Sequence, residues 1–127
     1  MAKLFILLAS GNGFLAVALG AFAAHVLRDT LDQQLLGTFQ TAAQYHMYHS
    51  LALLGVGVLC TQFPAASQLR WSGYLFLLGI LLFSGSLYLL AITGTRWLGA
   101  ITPLGGVAFL GGWACLCWFA INQSFPE

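Results

Sequence analysis

The sequence predicts an all-α membrane protein, a four transmembrane helix bundle with a short amphipathic helix between spans one and two. Of the 127 residues, 60% are hydrophobic and only 6% are charged, which leaves too few polar side chains to coat a water-soluble protein. Four long apolar stretches are each close to the roughly 20 residues that a helix needs to cross a bilayer. Because backbone groups in lipid must be hydrogen-bonded internally, these stretches predict helices.

The four predicted spans form one domain over residues 1–127, and they cover approximately residues 4–27, 45–63, 71–92 and 97–121. The first apolar run is longer than the apolar core of a signal peptide and continues through His25, so we interpret it as a retained helix. Trp71 and Trp97 begin spans three and four, where indole rings favour the membrane interface. Lys3 and Arg70 lie on one side and Arg28 and Arg96 on the other, so the positive charges assign no orientation.

The segment between spans one and two is the most polar part of the chain. Thr30 and Gln33 fit the capping box of a helix N-terminus. Apolar side chains then recur on one side and glutamines on the other. This pattern predicts an amphipathic helix that begins near Thr30 and either lies on the membrane surface or leads directly into span two.

Two of the three histidines, His46 and His49, lie one helical turn apart in the string Tyr-His-Met-Tyr-His that begins at Tyr45. If the helix is unbroken, both face the side of Phe39 and therefore the protein interior. Alternating spans then bring polar residues together in one leaflet, whereas the opposite half of the bundle has little beyond Ser10 and Asn12. The predicted cluster consists of His25, Tyr45, His46, His49, Ser84, Ser86, Tyr88 and Thr102.

Three functions are open for this cluster. The side chains could bond one another in a structural role or bind a lipid or small molecule. His25, His46 and His49 could instead ligate a metal or haem iron in a redox component, since neutral imidazole is a common ligand. A proton-coupled small transporter, acting as an oligomer, is the third alternative. No recognised catalytic constellation is present, which favours a non-enzymatic protein, and we expect no cofactor.

Small residues recur at helical spacing in two spans, as Ala16/Gly20/Ala24 and as Gly105/Ala108/Gly112. Such faces permit close helix packing, and they would also allow a homo-oligomer. Pro103 predicts a kink or an irregular start of span four, where Thr102 could bond a freed carbonyl.

Four strings carry a resemblance to a known family: GAFAAHVL at residues 20–27, FQTAAQYHMYHSLAL at 39–53, LFSGSLY at 82–88 and ITPLGG at 101–106. Together they resemble the family known as domain of unknown function 423, which includes bacterial inner-membrane proteins and the animal transmembrane protein 256. Ala23 stands where the family pattern leads us to expect a second glycine. The resemblance implies a multi-pass protein of the bacterial inner (plasma) membrane with the lipid bilayer as partner and no nucleic acid. It implies no activity.

Overall fold

The computed structural model describes residues 1–125, and within this range every regular element is helical. The α-helices are α1 (Ala2–His25), α2 (Gln33–Gln62), α3 (Ser67–Gly79), α4 (Gly85–Thr93) and α5 (Thr102–Asn122). A π-helical turn, Ile80–Ser84, joins α3 and α4 into one rod, and 3-10 turns at Leu27–Asp29 and Arg96–Ala100 follow α1 and precede α5. The all-α prediction is confirmed. Residues 126 and 127 of the predicted domain lie outside the described residues.

Within residues 1–125, three helical segments are long and apolar enough to cross a membrane. They are Ala2–Asp29, Ser67–Thr93 and Arg96–Asn122, with mean hydropathies of 1.9, 2.4 and 1.8. The remaining long helix, α2, has 30 residues, but glutamines and histidines lower the hydropathy of its first half. Residues 1–125 therefore contain three strongly apolar helical segments and a fourth long helix of mixed character.

Helix α2 lies in the middle of the structure. It packs along α1 on one side and against α3, the π-helical turn and α4 on the other, while α5 packs on α3 and the π-helical turn. The largest buried side chains of the core come from α1, α2, α3 and α5, and they include Phe5, Leu53, Val56, Leu69, Phe76 and Phe109. Because its neighbours cover it, α2 exposes less of its surface to lipid and can carry more polar side chains.

The start of α2 differs from the prediction. Residues 33–44 are the first turns of one unbroken helix, and the described structure shows no separate amphipathic helix between spans. The prediction that Thr30 caps this helix was wrong: Asp32 is the N-cap, and its side chain accepts a hydrogen bond from the backbone N–H of Leu35 at 2.9 Å. The backbone N–H groups of Thr30 and Leu31 are already bonded to the carbonyl of Leu27. The first residue free to adopt the extended N-cap conformation is therefore Asp32.

The π-helical turn Ile80–Ser84 was not predicted, because the hydropathy of the third span is uniform across it. It lies against α5, and the two backbones are in close contact at Gly105, where an added Cβ would overlap the backbone nitrogen of Phe83 and lie 2.7 Å from its Cα. Only glycine fits there, since backbone atoms cannot rotate away. Gly105 thus allows α5 to pack directly on the π-helical turn.

The predicted small-residue packing is confirmed in α5 and not in α1. Gly105, Ala108 and Gly112 are buried, and a Cβ on Gly112 would lie 2.6 Å from the ring of Phe76. In contrast, a Cβ on Gly20 would have no neighbour within 4 Å. Because the glycines of α1 are not used in the described bundle, a homo-oligomer through glycine-rich faces stays a prediction.

Candidate functional site

Three polar side chains from three helices form a hydrogen-bonded chain through the bundle. The Nδ1 of His46 on α2 lies 3.1 Å from the hydroxyl of Tyr88 on α4, and its Nε2 lies 3.0 Å from Oδ1 of Asn12 on α1. Asn12 in turn donates from Nδ2 to the carbonyl of Leu8 at 2.8 Å. His46 is 4% exposed. Both of its ring nitrogens are therefore occupied inside the protein.

The orientation of Asn12 determines the tautomer of His46. Because the amide nitrogen of Asn12 donates to Leu8, its oxygen faces the imidazole and must accept from Nε2–H. In the neutral imidazole, Nδ1 of His46 then has no proton and accepts from the hydroxyl of Tyr88. All donors in this chain then point the same way, from α4 through α2 to α1.

The participation of Asn12 corrects the sequence analysis, which placed this residue in the opposite half of the bundle. Asn12 and His46 are both about 20 Å from the bundle end where α1 ends and α2 begins. The prediction took Tyr45 as the start of span two, although α2 begins at Gln33. Counting from the true helix start places His46 near the middle of α2, beside Asn12.

His49 makes a second set of contacts, toward α5. Its Nδ1 lies 2.7 Å from the backbone carbonyl of Tyr45, so it donates there, and its Nε2 accepts from the indole Nε1 of Trp113 at 3.2 Å. The ring stacks on Phe109 with centroids 3.4 Å apart and an interplanar angle of 8°. His49 is thus the opposite tautomer to His46. The two histidines point to different neighbours because residues three apart on a helix are offset by about 60°.

Beside His49, a lateral groove of about 490 Å³ opens between α2 and α5. Its walls are almost entirely apolar, and its lining includes Tyr45, His49, Phe83, Pro103, Gly106 and Trp113. Tyr45 is 39% exposed, and its ring stacks on that of Phe83 with centroids 4.7 Å apart. Trp113 is 47% exposed. The groove is therefore an aromatic surface that opens outward from the bundle.

The serines and Thr102 bond across helices rather than into this groove. Ser84, at the end of the π-helical turn, donates to the carbonyl of Ala42 on α2 at 2.9 Å. Ser86 donates to the carbonyl of Phe83 at 3.0 Å, and its oxygen lies 2.7 Å from that of Thr102.

The prediction that Thr102 bonds a freed carbonyl was wrong. Pro103 lies in the first turn of α5, where backbone N–H groups have no partner within the helix. Its missing N–H therefore removes no helix hydrogen bond, and the predicted span begins irregularly without an interior kink.

Comparison with known proteins gives a consistent assignment. A family model described as "Protein of unknown function (DUF423)" matches residues 19–106. "UPF0382 membrane protein YwdK" of Bacillus subtilis is 45% identical over 120 residues, which cover 94% of this chain and 98% of the relative. The chain belongs to the DUF423 family. "UPF0382 inner membrane protein YgdD" of Escherichia coli K12 is 42% identical over 120 residues, covering 94% of this chain and 91% of the relative.

The DUF423 assignment confirms the recognised resemblance and the localisation in the bacterial inner membrane. A further relative, "UPF0382 membrane protein" of Staphylococcus epidermidis, is 46% identical over 114 residues, covering 90% of this chain and 92% of the relative. No solved structure matches the chain. The family description carries no activity, so function must be argued from the site.

The structure of this DUF423 protein does not gather the three histidines. His25 lies exposed at the end of α1, whereas His46 and His49 are buried and bonded to different partners. Residues 1–125 contain no group of three His, Cys, Asp or Glu side chains that could hold a metal ion. The geometry therefore gives no support to the predicted His25/His46/His49 ligand set.

Two residues that participate directly in these contacts were missed by the sequence analysis. Asn12 and Trp113 both fall outside the matched family region, and each is a polar group in the interior of an apolar helix. A buried amide or an indole N–H far from the interface needs a partner, since lipid supplies none. The need of these two side chains for a hydrogen-bond partner could therefore have indicated from the sequence that they face other helices.

Proposed function

We propose that this DUF423 chain is a non-enzymatic four-span membrane protein whose polar cluster holds the helices together and whose aromatic groove binds the apolar part of a lipid or a small molecule. The observation that carries this proposal is the contrast between the polar cluster, whose hydrogen bonds are all made inside the bundle, and the groove, which is open to a ligand. Throughout residues 1–125, every buried side-chain nitrogen and oxygen has a hydrogen-bond partner. The groove beside His49, in contrast, is open.

Helix α2 is the fourth span in this proposal. Its 30 residues extend about 45 Å, which exceeds the roughly 30 Å of a hydrocarbon core. Its polar side chains His46 and His49 bond to other helices, so they do not prevent insertion.

Cysteines introduced as Thr30→Cys and Thr95→Cys, in a chain whose own cysteines are replaced by alanine, should label with an impermeant maleimide from one side of the membrane. Ala66→Cys should label from the other side, and labelling of all three from the same side would contradict a four-span topology.

The bonding of the cluster favours a structural role over ligation or proton transfer. A metal or haem iron at either buried histidine would have to replace one of two existing hydrogen bonds to each ring. The lost bond would leave Tyr88, Asn12 or Trp113 with an unsatisfied polar atom in the membrane, which is unfavourable. Interhelical hydrogen bonds of this kind contribute about 0.6 kcal/mol each in membranes.

The groove has the size and chemistry of a binding site for an apolar group. Its volume of about 490 Å³ lies within the range of typical ligand pockets, which are mostly apolar with few polar groups. Because it opens laterally from the bundle interior toward lipid, an acyl chain can enter without crossing water.

Gly106 allows the groove to be filled without disturbing the fold. A Cβ added at Gly106 would have only the ring of Phe83 at 4.0 Å as a neighbour, so Gly106→Leu would project into the groove. Gly11→Leu is the matched control, because a Cβ on Gly11 has no neighbour within 4 Å and the residue lies on α1, away from the groove. Native mass spectrometry of protein released from gentle detergent should detect a lipid-sized adduct on the wild type and on Gly11→Leu. Gly106→Leu should lose it.

An adduct retained equally by Gly106→Leu would overturn the groove as the binding site. Absence of any adduct on the wild type, also after incubation with total bacterial lipid extract, would overturn the binding function. Circular dichroism of both variants checks that they remain folded.

A further inference from the structure

A second cavity lies on the same side of the bundle, nearer the membrane surface. It has a volume of about 530 Å³ and lies between the start of α2 and the end of α4. Asp32, Gln34 and Thr38 line it from α2, and Arg96 lines it from the turn before α5. Trp97, next to Arg96, is 67% exposed, and exposed tryptophans mark the headgroup region. The cavity is therefore polar and lies at headgroup depth.

This cavity is lined by one positive and one negative side chain that are not within 4 Å of each other. In residues 1–125 the single ion pair within 4 Å joins Arg28 and Asp29. Asp32 and Arg96 thus line the same cavity without forming a salt bridge. Asp32 uses one carboxylate oxygen to cap α2 at Leu35, which leaves its second oxygen available. The cavity can bind a cationic group and an anionic group at once.

The polar cavity and the aromatic groove are aligned along the bundle. Thr38 in the cavity and Tyr45 in the groove lie on the same side of α2, two turns apart. Leu87 in the cavity and Phe83 in the groove lie one turn apart on the rod formed by α3 and α4. His49 is about 16 Å deeper than Thr38, close to the roughly 15 Å depth of one leaflet's hydrocarbon. A molecule with its head in the cavity would reach the groove with one acyl chain.

We propose that the two cavities together form the site of one zwitterionic phospholipid that bears a primary amine. Arg96 binds the phosphate, Asp32 accepts hydrogen bonds from the ammonium group, and one acyl chain lies on Tyr45 and Phe83. This inference rests on the proposed function, since it names the lipid that fills the groove. Charge complementarity selects the headgroup: a single arginine would attract any phospholipid, but the neighbouring carboxylate disfavours an anionic headgroup and favours an amine.

The test compares phospholipids that differ only in headgroup. Delipidated full-length protein in detergent is titrated with phosphatidylethanolamine, phosphatidylcholine or phosphatidylglycerol of identical acyl chains, and binding is measured by native mass spectrometry. Phosphatidylethanolamine should bind about tenfold more tightly than the other two. Phosphatidylcholine has the same charges but no N–H to donate, and phosphatidylglycerol has no cation.

Two conservative variants test which part of the headgroup each charged side chain binds. Asp32→Asn keeps an N-cap oxygen for Leu35 but removes the charge, and it should abolish the preference for phosphatidylethanolamine. Arg96→Gln should weaken all three lipids about tenfold. Arg28→Gln and Asp29→Asn, from the exposed ion pair, are the matched controls and should change neither affinity nor preference.

Equal affinities for the three lipids, or a preference that Asp32→Asn leaves intact, would overturn this inference. If Gly106→Leu still displaced the lipid in that case, the proposed groove function would stand without the headgroup assignment. If no lipid bound the wild type, both proposals would fail.

Discussion

Replacing Gly105 by alanine perturbs a close backbone contact between α5 and the π-helical turn. The new methyl group would overlap the backbone nitrogen of Phe83 and lie 2.7 Å from its Cα. These are backbone atoms of the π-helical turn, so no side-chain rotation can relieve the overlap. Either α5 moves outward or the π-helical turn changes its geometry.

The neighbouring glycine provides a control that isolates this steric effect. Gly105→Ala and Gly106→Ala gain the same helix propensity, about 0.5–1 kcal/mol, because both residues lie in the first turns of α5. A Cβ on Gly106 meets only the ring of Phe83 at 4.0 Å, which is ordinary contact. The difference in free energy of unfolding between the two variants therefore equals the cost of overpacking, about 1–3 kcal/mol.

The measurement is reversible unfolding in mixed micelles, with sodium dodecyl sulfate as denaturant and circular dichroism as the signal. Gly106→Ala should be as stable as the wild type or slightly more stable, and Gly105→Ala should unfold at a clearly lower detergent fraction. If both variants unfold at the same midpoint, the close contact between α5 and the π-helical turn is wrong.

Three further predictions concern the polar groups. Tyr88→Phe removes the hydroxyl that donates to His46, and it should lower the free energy of unfolding by about 0.6–1.7 kcal/mol in the same assay; unchanged stability would contradict the bond. Ser72→Ala, whose hydroxyl is fully buried and donates to a carbonyl of α5 at 2.9 Å, should destabilise by about 0.6 kcal/mol, whereas Ser10→Ala on the exposed side of α1 should have no effect. Nitrogen-15 NMR of labelled histidines should find the Nε2–H tautomer at His46 and the Nδ1–H tautomer at His49, and the same tautomer at both would refute the assigned directions of donation.

The sequence predicted the helical class and the helix count because hydropathy reflects contact with lipid, and lipid contacts most of α1, α3 and α5. The sequence described α2 less well because one face of this helix is buried against α1, α3 and α4. There, pairing between specific side chains decides which polar residues are tolerated. The capping box at Thr30 fitted the sequence pattern, but the 3-10 turn after α1 had already used the N–H of that residue.

The candidate site was predicted in part. The sequence analysis expected His46, Tyr88, Ser84 and Ser86 to turn toward the bundle, and in the structure each of them bonds to a group inside the bundle. Their partners could not be derived, since a one-residue change in where a helix begins rotates every later side chain by about 100°. The π-helical turn adds a further offset of this kind before Ser84. Neither the exact start of α2 nor the π-helical turn can be recognised from composition or hydropathy.

The bond between Asn12 and His46 has a consequence for biogenesis. The chain is synthesised from its N-terminus, so α1 is complete before α2 leaves the ribosome, and α4 follows only later. Asn12 can therefore accept from His46 as soon as the first two helices form a hairpin, while the place of Tyr88 is still empty. In the proposed four-span topology, α2 can therefore enter the membrane together with α1, and His46 gains Tyr88 as its second partner when α4 is added. The order of the helices along the chain would then also be the order in which these bonds form.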